Sequence, residues 1–160
     1  MKDQSMSGKI DARLAELGIT LPAPAAPVAS YVPYVEAGNL VIISGQITME
    51  TGEIRYPGKL GAEVSLEDGY QAARLCAVNL LAQLKVACDG DLDRVQRVMR
   101  LGGFVACTAD FSDHPKVING ASDLMAEVFG DAGKHARAAV GAPSLPLNVS
   151  VEVEGMFLIN

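Results

Sequence analysis

Between Ser65 and Gly90, apolar side chains recur at Leu66, Tyr70, Ala73, Ala77, Leu80, Leu84 and Ala87, in alternating steps of four and three. That spacing draws one broad stripe along an α-helix. Ser65 and Asp68 have capping-box spacing, with Asp in place of the usual Glu. Gly90 supplies the stop. A stripe this long has to be covered, and the flanking segments read as strands, so the helix is expected to lie on a sheet.

The strand segments punctuate themselves. In YVPYVEAGNLVIISGQITMETGEI (31–54), Ala37-Gly38-Asn39 reads as a hairpin turn, LVIISGQI as the inner strand and ETGE as a second turn. Gly45 inside a strand pattern signals a bulge or a close approach to the backbone. VQRVMRLGGFVACT is a further strand, with Gly102-Gly103 again read as a bulge. Asp113 is the expected cap of a second helix with Pro115 in its first turn. That helix buries Val117, Ile118, Ala121, Leu124, Met125 and Val128, and Phe129-Gly130 closes it. HARAAVGA and NVSVEVEGMFLI, joined through PSLPL, form the last two strands. Upstream, Ile10, Leu14 and Leu17 in GKIDARLAELG (8–18) predict a short amphipathic helix that packs on the outside of the domain, ahead of a Pro/Ala connector.

This order implies an α/β (α+β) two-layer sandwich: one mixed sheet of about six strands, two helices on one face and a short N-terminal helix. Residues 1–30 form an N-terminal extension and 31–160 the domain proper. VIISG, GGFVAC and AAVGA are apolar on both sides, so the helix-free face also needs cover, and a homo-oligomer is expected to provide it.

The net charge of −6 argues against a broad phosphate-binding surface, so nucleic acid is not the expected partner. Cys76, Cys88 and Cys107 form no CxxC pair, and His114 and His135 are far apart in sequence, which leaves no metal-ligand pattern and no disulfide framework. Cys107 reads as a small buried hydrophobe. No stretch reaches the length of a membrane span. These features suit a cytoplasmic protein without metal or cofactor.

Two charged residues stand out near the C-terminus. Val149, Val151 and Val153 point to one side of the last strand, and Ser150, Glu152 and Glu154 to the other. In the strand before it, His135, Arg137 and Ala139 share a face. If the two strands pair antiparallel around Ser144-Leu145, Arg137 and Glu152 become neighbours. They would then be either a surface ion pair or, under an oligomer interface, a guanidinium fork for a carboxylate beside a positioned base.

Three segments together resemble the RidA/YjgF family, also called the L-PSP endoribonuclease or translation initiation inhibitor family. They are YVPYVEAGNLVIISGQI, the helix opening SLEDGYQAA with the strand after it, and HARAAVGAPSLPLNVSVEVEG. The resemblance runs from Tyr31 to the C-terminus. It rests on the SGQ element combined with Arg137-x-x-Val140, Leu145-Pro146 and Val151-Glu152-Val153-Glu154. It implies a chorismate-mutase-like fold, a homotrimer with clefts between subunits, and roles for named residues. Arg137 falls on the family's substrate-binding arginine and Glu152 on its water-activating glutamate. Tyr31, Ser44 and Gly45 fall on cleft-lining positions, and the family's helix asparagine falls on Asn119, with Ser122 as the other register. Ala139 stands where the deaminase subgroup has cysteine, which marks a sister subgroup.

The implied activity is hydrolytic deamination of reactive enamine/imine intermediates, 2-imino acids giving 2-keto acids and ammonia, with Arg137 holding the carboxylate and Glu152 activating water. A non-catalytic trimer that binds small carboxylates or ketoacids is the alternative. An endoribonuclease or translation inhibitor comes third, because the chain is acidic.

Overall fold

The computed structural model describes residues 8–24 and 30–160; the middle of the Pro/Ala connector lies outside them. The elements run α1 (Lys9–Glu16), β1 (Tyr34–Ala37), β2 (Leu40–Ile47), β3 (Met49–Glu50), β4 (Glu53–Ile54), α2 (Leu66–Ala87), β5 (Val95–Ala106), α3 (His114–Phe129), β6 (Ala136–Ala142) and β7 (Val151–Ile159). The main sheet has five strands in the order β1-β2-β7-β5-β6, and β3-β4 form a separate two-stranded ribbon. The expected α+β sandwich is therefore present, with one strand fewer in its main sheet than expected.

The last two strands do not pair with each other. β6 runs parallel to β5, and β7 lies antiparallel between β5 and β2. The reason is α3: a parallel partner needs a helical crossover, and β5-α3-β6 is such a unit. The segment 143–150 then carries the chain across to β7.

α2 and α3 cover one face, and alternation along β7 sets which side that is. Val151, Val153, Phe157 and Ile159 are buried and join Ala73, Ala77, Leu80, Leu84, Ile118 and Leu124 in one core. Phe157 is fully buried, so its truncation to Ala costs about 3–5 kcal/mol. The helices approach closely at Gly120, where a Cβ would overlap the Tyr70 carbonyl. The Ser65 cap is made, its Oγ accepting from the Asp68 N–H at 3.1 Å. α2 ends with the Gly90 N–H bonded to the Lys85 carbonyl at 2.8 Å and that of Asp89 to Val86 at 3.0 Å, a Schellman arrangement.

Two local expectations fail. Asp113 does not cap α3 with its side chain: its backbone is not extended as an N-cap requires, and its carboxylate pairs with Lys116 Nζ at 3.3 Å. Gly102-Gly103 is not a bulge. The ladder is continuous there, and the irregularities of β5 fall between Val95 and Arg97 and between Val98 and Arg100. Gly103 instead leaves room for α3, since a Cβ would come within 2.6 Å of Ile118.

α1 packs through Leu14, which is buried, with Ile10 and Leu17 against the core, as its stripe predicts. Gly8 offers no capping side chain, so Asp93 supplies the cap from elsewhere in the chain. Its carboxylate accepts from the N–H groups of Lys9 and Ile10, both at 2.8 Å, and these two bonds hold its pKa below the ordinary aspartate value.

Candidate functional site

The residues singled out in the sequence gather into two groups, on opposite faces of the sheet. The first is built on β6 and α3. Arg137 pairs in register with the buried Leu101, which turns its side chain to the helix side. Its Nη1 donates to Asn119 Oδ1 at 2.8 Å and to Ser122 Oγ at 3.1 Å. Both registers left open for the helix asparagine thus end on the same guanidinium, because Asn119 and Ser122 are three apart on one face of α3. Among the described residues Arg137 has no carboxylate partner. It opens onto a depression of about 260 Å³ lined by Ser122, Ala126, Gly133, Lys134 and His135. Ala139 follows on the same face of β6, half-buried.

The second group is built on β2 and β7. Glu152 pairs with Phe104 on one side and Ile47 on the other, and points to the face free of helices. The register slips between Ile43 and Gln46, so Gly45 sits in a bulge as its position in the strand suggests. A Cβ on Gly45 would overlap the Glu152 carboxylate, so the glycine provides the space that carboxylate occupies. Ser44 fixes the approach of the preceding segment: its N–H donates to the Pro33 carbonyl at 2.9 Å and its Oγ to the Val32 carbonyl at 2.7 Å. Tyr31, next to Val32, is 58% exposed.

The electrostatics of the groups differ. The Glu152 carboxylate makes no hydrogen bond or ion pair among the described residues. Burial, and secondly the charge of Glu154, push its pKa above the ordinary glutamate value. Glu154 itself is paired with Arg100 at 3.3 Å. Beneath Glu152 the Cys76 thiol is fully buried and donates to the Val151 carbonyl at 3.5 Å. Burial, with Glu152 adding to it, pushes that thiol well up, so it is inert as a nucleophile.

Within one chain the two groups do not meet. Glu152 is level with Phe104 and Arg137 with Leu101, three residues along and two strands apart. The Cα atoms are therefore separated by about 10 Å along the strands and about 10 Å across them, with side chains on opposite faces. The antiparallel pairing that would make these residues neighbours is absent, and with it the surface ion pair.

His135 is a functional candidate that its sequence position alone does not disclose; the visible signal is that it shares alternation with Arg137. Its Nε2 lies 2.9 Å from Ser122 Oγ and its Nδ1 2.6 Å from the Gly133 carbonyl. Cys107 is only half-buried, not an enclosed hydrophobe, and its Sγ lies 3.4 Å from His114 Nε2.

Comparison with known proteins gives a consistent picture. A family model described as "YjgF/chorismate_mutase-like, putative endoribonuclease" matches residues 11–157. Protein TCP17 of Trypanosoma cruzi is 44% identical over 155 residues, spanning 96% of each chain. The crystal structure of Atu1372 of Agrobacterium tumefaciens, a protein described as of unknown function, superposes with a TM-score of 0.89. It is 50% identical and covers 94% of this chain, with 92% of its own length matched. A 2-iminobutanoate/2-iminopropanoate deaminase of Dermatophagoides farinae is 27% identical, over 88% of this chain and 94% of its own. No helix among the described residues is long and apolar enough to cross a membrane.

Proposed function

The chain belongs to the YjgF/chorismate-mutase-like family, and from that premise we propose that it is a hydrolytic deaminase of 2-imino acids, assembled as a homotrimer whose clefts lie between subunits. One observation carries the reading. Among the described residues, a guanidinium without a carboxylate partner and a half-buried carboxylate without a hydrogen bond stand on opposite faces of one chain's sheet. Each is half of a site, and a second copy can bring the two halves into one cleft. Val35, Ile42, Met99 and Val140 are all between 40% and 50% exposed and supply apolar surface for that contact.

The chemistry follows from the residue types. Arg137 offers a planar fork to the substrate carboxylate. Glu152, ionised, takes a proton from water as the water oxygen bonds to the imine carbon. It passes that proton to the imine nitrogen to give the carbinolamine. The carbinolamine hydroxyl then gives up its own proton, again through Glu152, to the nitrogen as the C–N bond breaks, so ammonia leaves and the 2-keto acid remains. Tyr31, Ser44 and Gly45 border the carboxylate's half of the cleft, and Asn119 and Ala139 the guanidinium's. The deaminase relative supports the substrate class. The net charge of −6 weighs against RNA as substrate, whatever the family description says.

The test is ammonia release from 2-iminobutanoate, generated in situ from threonine by a dehydratase, with wild type, Arg137→Ala and Glu152→Gln. Acceleration by wild type, lost in both variants, is the expected result. An inert wild type that still binds 2-oxobutanoate through Arg137 would make the protein a carboxylate binder instead.

A further inference from the structure

We propose that His135 is a positioning residue that acts through Ser122 to present one chosen edge of Arg137 to the ligand, an inference that rests on the carboxylate-binding role proposed above. The hydrogen-bond directions are set by what each atom is able to do. The Gly133 carbonyl can only accept, so the 2.6 Å contact places a proton on His135 Nδ1. In the neutral ring Nε2 is then an acceptor, and at 2.9 Å it receives the Ser122 hydroxyl proton. With that proton directed away, a lone pair of Ser122 Oγ faces Arg137 and accepts from Nη1 at 3.1 Å. The relay therefore runs from guanidinium to hydroxyl to imidazole to backbone carbonyl.

Its consequence is a choice of edge. Nη1 has two protons, and Asn119 Oδ1 and Ser122 Oγ take both. The donors on Nε and Nη2 have no partner among the described residues. Those two nitrogens form the side-on fork that matches a carboxylate with two parallel N–H···O bonds. The end-on fork needs Nη1 and is closed. A carboxylate ligand is thus received on the Nε/Nη2 edge, in one orientation. That orientation fixes where the atom attached to the carboxylate, the reacting imine carbon, points.

Without His135 the Ser122 proton has no fixed acceptor, the hydroxyl is free to turn that proton toward Nη1, and the guanidinium is held by Asn119 alone. The loss falls on ligand binding, because Glu152 and water belong to the other half of the cleft. His135→Leu is expected to raise KM for 2-iminobutanoate by about tenfold, the size of one misplaced charge-assisted hydrogen bond. Its kcat is expected to change by less than about threefold. His135→Gln keeps an amide oxygen able to accept from Ser122 and is expected to recover most of that loss. In the wild type, the ¹⁵N spectrum of the imidazole should show the Nδ1–H tautomer, and the Arg137 Nη signals should be resolved by slow rotation and collapse in His135→Leu.

An unaltered KM in His135→Leu, a loss confined to kcat, or no recovery with Gln overturns the inference. An inert wild type would overturn the deaminase reading, and the relay is then judged by the spectra alone. The Nδ1–H tautomer with Arg137 signals that depend on His135 upholds it, whereas the Nε2–H tautomer or indifferent Arg137 signals refute it.

Discussion

The two halves of the site are built on opposite principles. Around Arg137 nearly every polar atom is satisfied inside the chain: Asn119, Ser122, His135 and the Gly133 carbonyl form a hydrogen-bonded cluster, and only the outward donors of the guanidinium stay open. Around Glu152 no polar group among the described residues meets the carboxylate. It lies against the Gly45 backbone, above the buried Cys76, with a second carboxylate two residues on. A binding group gains from being held still. A base gains from poor solvation, which keeps its proton affinity high.

The largest expected effect breaks the Glu152 side. Glu152→Gln should lower kcat by about 10²–10⁴-fold, the range for loss of a general base. In the wild type the acid limb of the kcat/KM profile should lie above that of an ordinary glutamate, because burial raises the pKa of the free base. Stability should move the other way. A carboxylate whose folded pKa is raised contributes stability that is complete below its unfolded pKa and is lost as pH rises through the folded value. At pH 7 the ionised Glu152 therefore destabilises the fold. Thermal denaturation should show Glu152→Gln more stable than wild type at pH 7, with the gain shrinking toward pH 4.

On the other side, Arg137→Lys retains the charge and loses the fork. We expect kcat/KM to fall by about 30-fold, mostly through KM, while unfolding free energy shifts by no more than about 1–2 kcal/mol, as for a half-buried side chain losing one of its hydrogen bonds. The smallest change sharpens the contrast between a packed and a hydrogen-bonded half. Gly45→Ala places a methyl on the Glu152 carboxylate, and should lower kcat by about tenfold and stability by about 1–2 kcal/mol. An alanine tolerated there without displacing Glu152 would show that the bulge has more room than the geometry gives it.

Much of the fold was readable because its signals are local. The Ser65 cap, the alternation along β7 and the α2 stripe from Ala73 to Ala87 depend on residues a few positions apart and appear as expected. The stripe's first two members do not join the core: Leu66 is 39% exposed, and Tyr70 is half-buried with its hydroxyl donating to Asp123. Strand order is not local. Nothing in PSLPL reveals that β7 passes β6 to insert between β5 and β2, although a helix of α3's length between two strands already points to a parallel pair. Arg137 and Glu152 stood out by residue type, but their faces depend on that order, so the sequence pattern made them neighbours where the sheet separates them. The cap at Asp113 failed for a different reason, a competing ion pair with Lys116. The role of His135 rests on proton positions set by Gly133 and Ser122, contacts that alternation alone does not disclose.

The most direct test of two half-sites joined between copies is complementation. Arg137→Ala and Glu152→Gln, each inactive alone, are unfolded together and refolded at equal amounts, and 2-iminobutanoate hydrolysis is measured. In a ring of subunits whose clefts take the arginine from one copy and the glutamate from its neighbour, about one cleft in four regains both residues. Recovery of about a quarter of wild-type activity is the predicted result. A refolded mixture as inactive as either variant alone would contradict it and place the two residues of each site in the same chain.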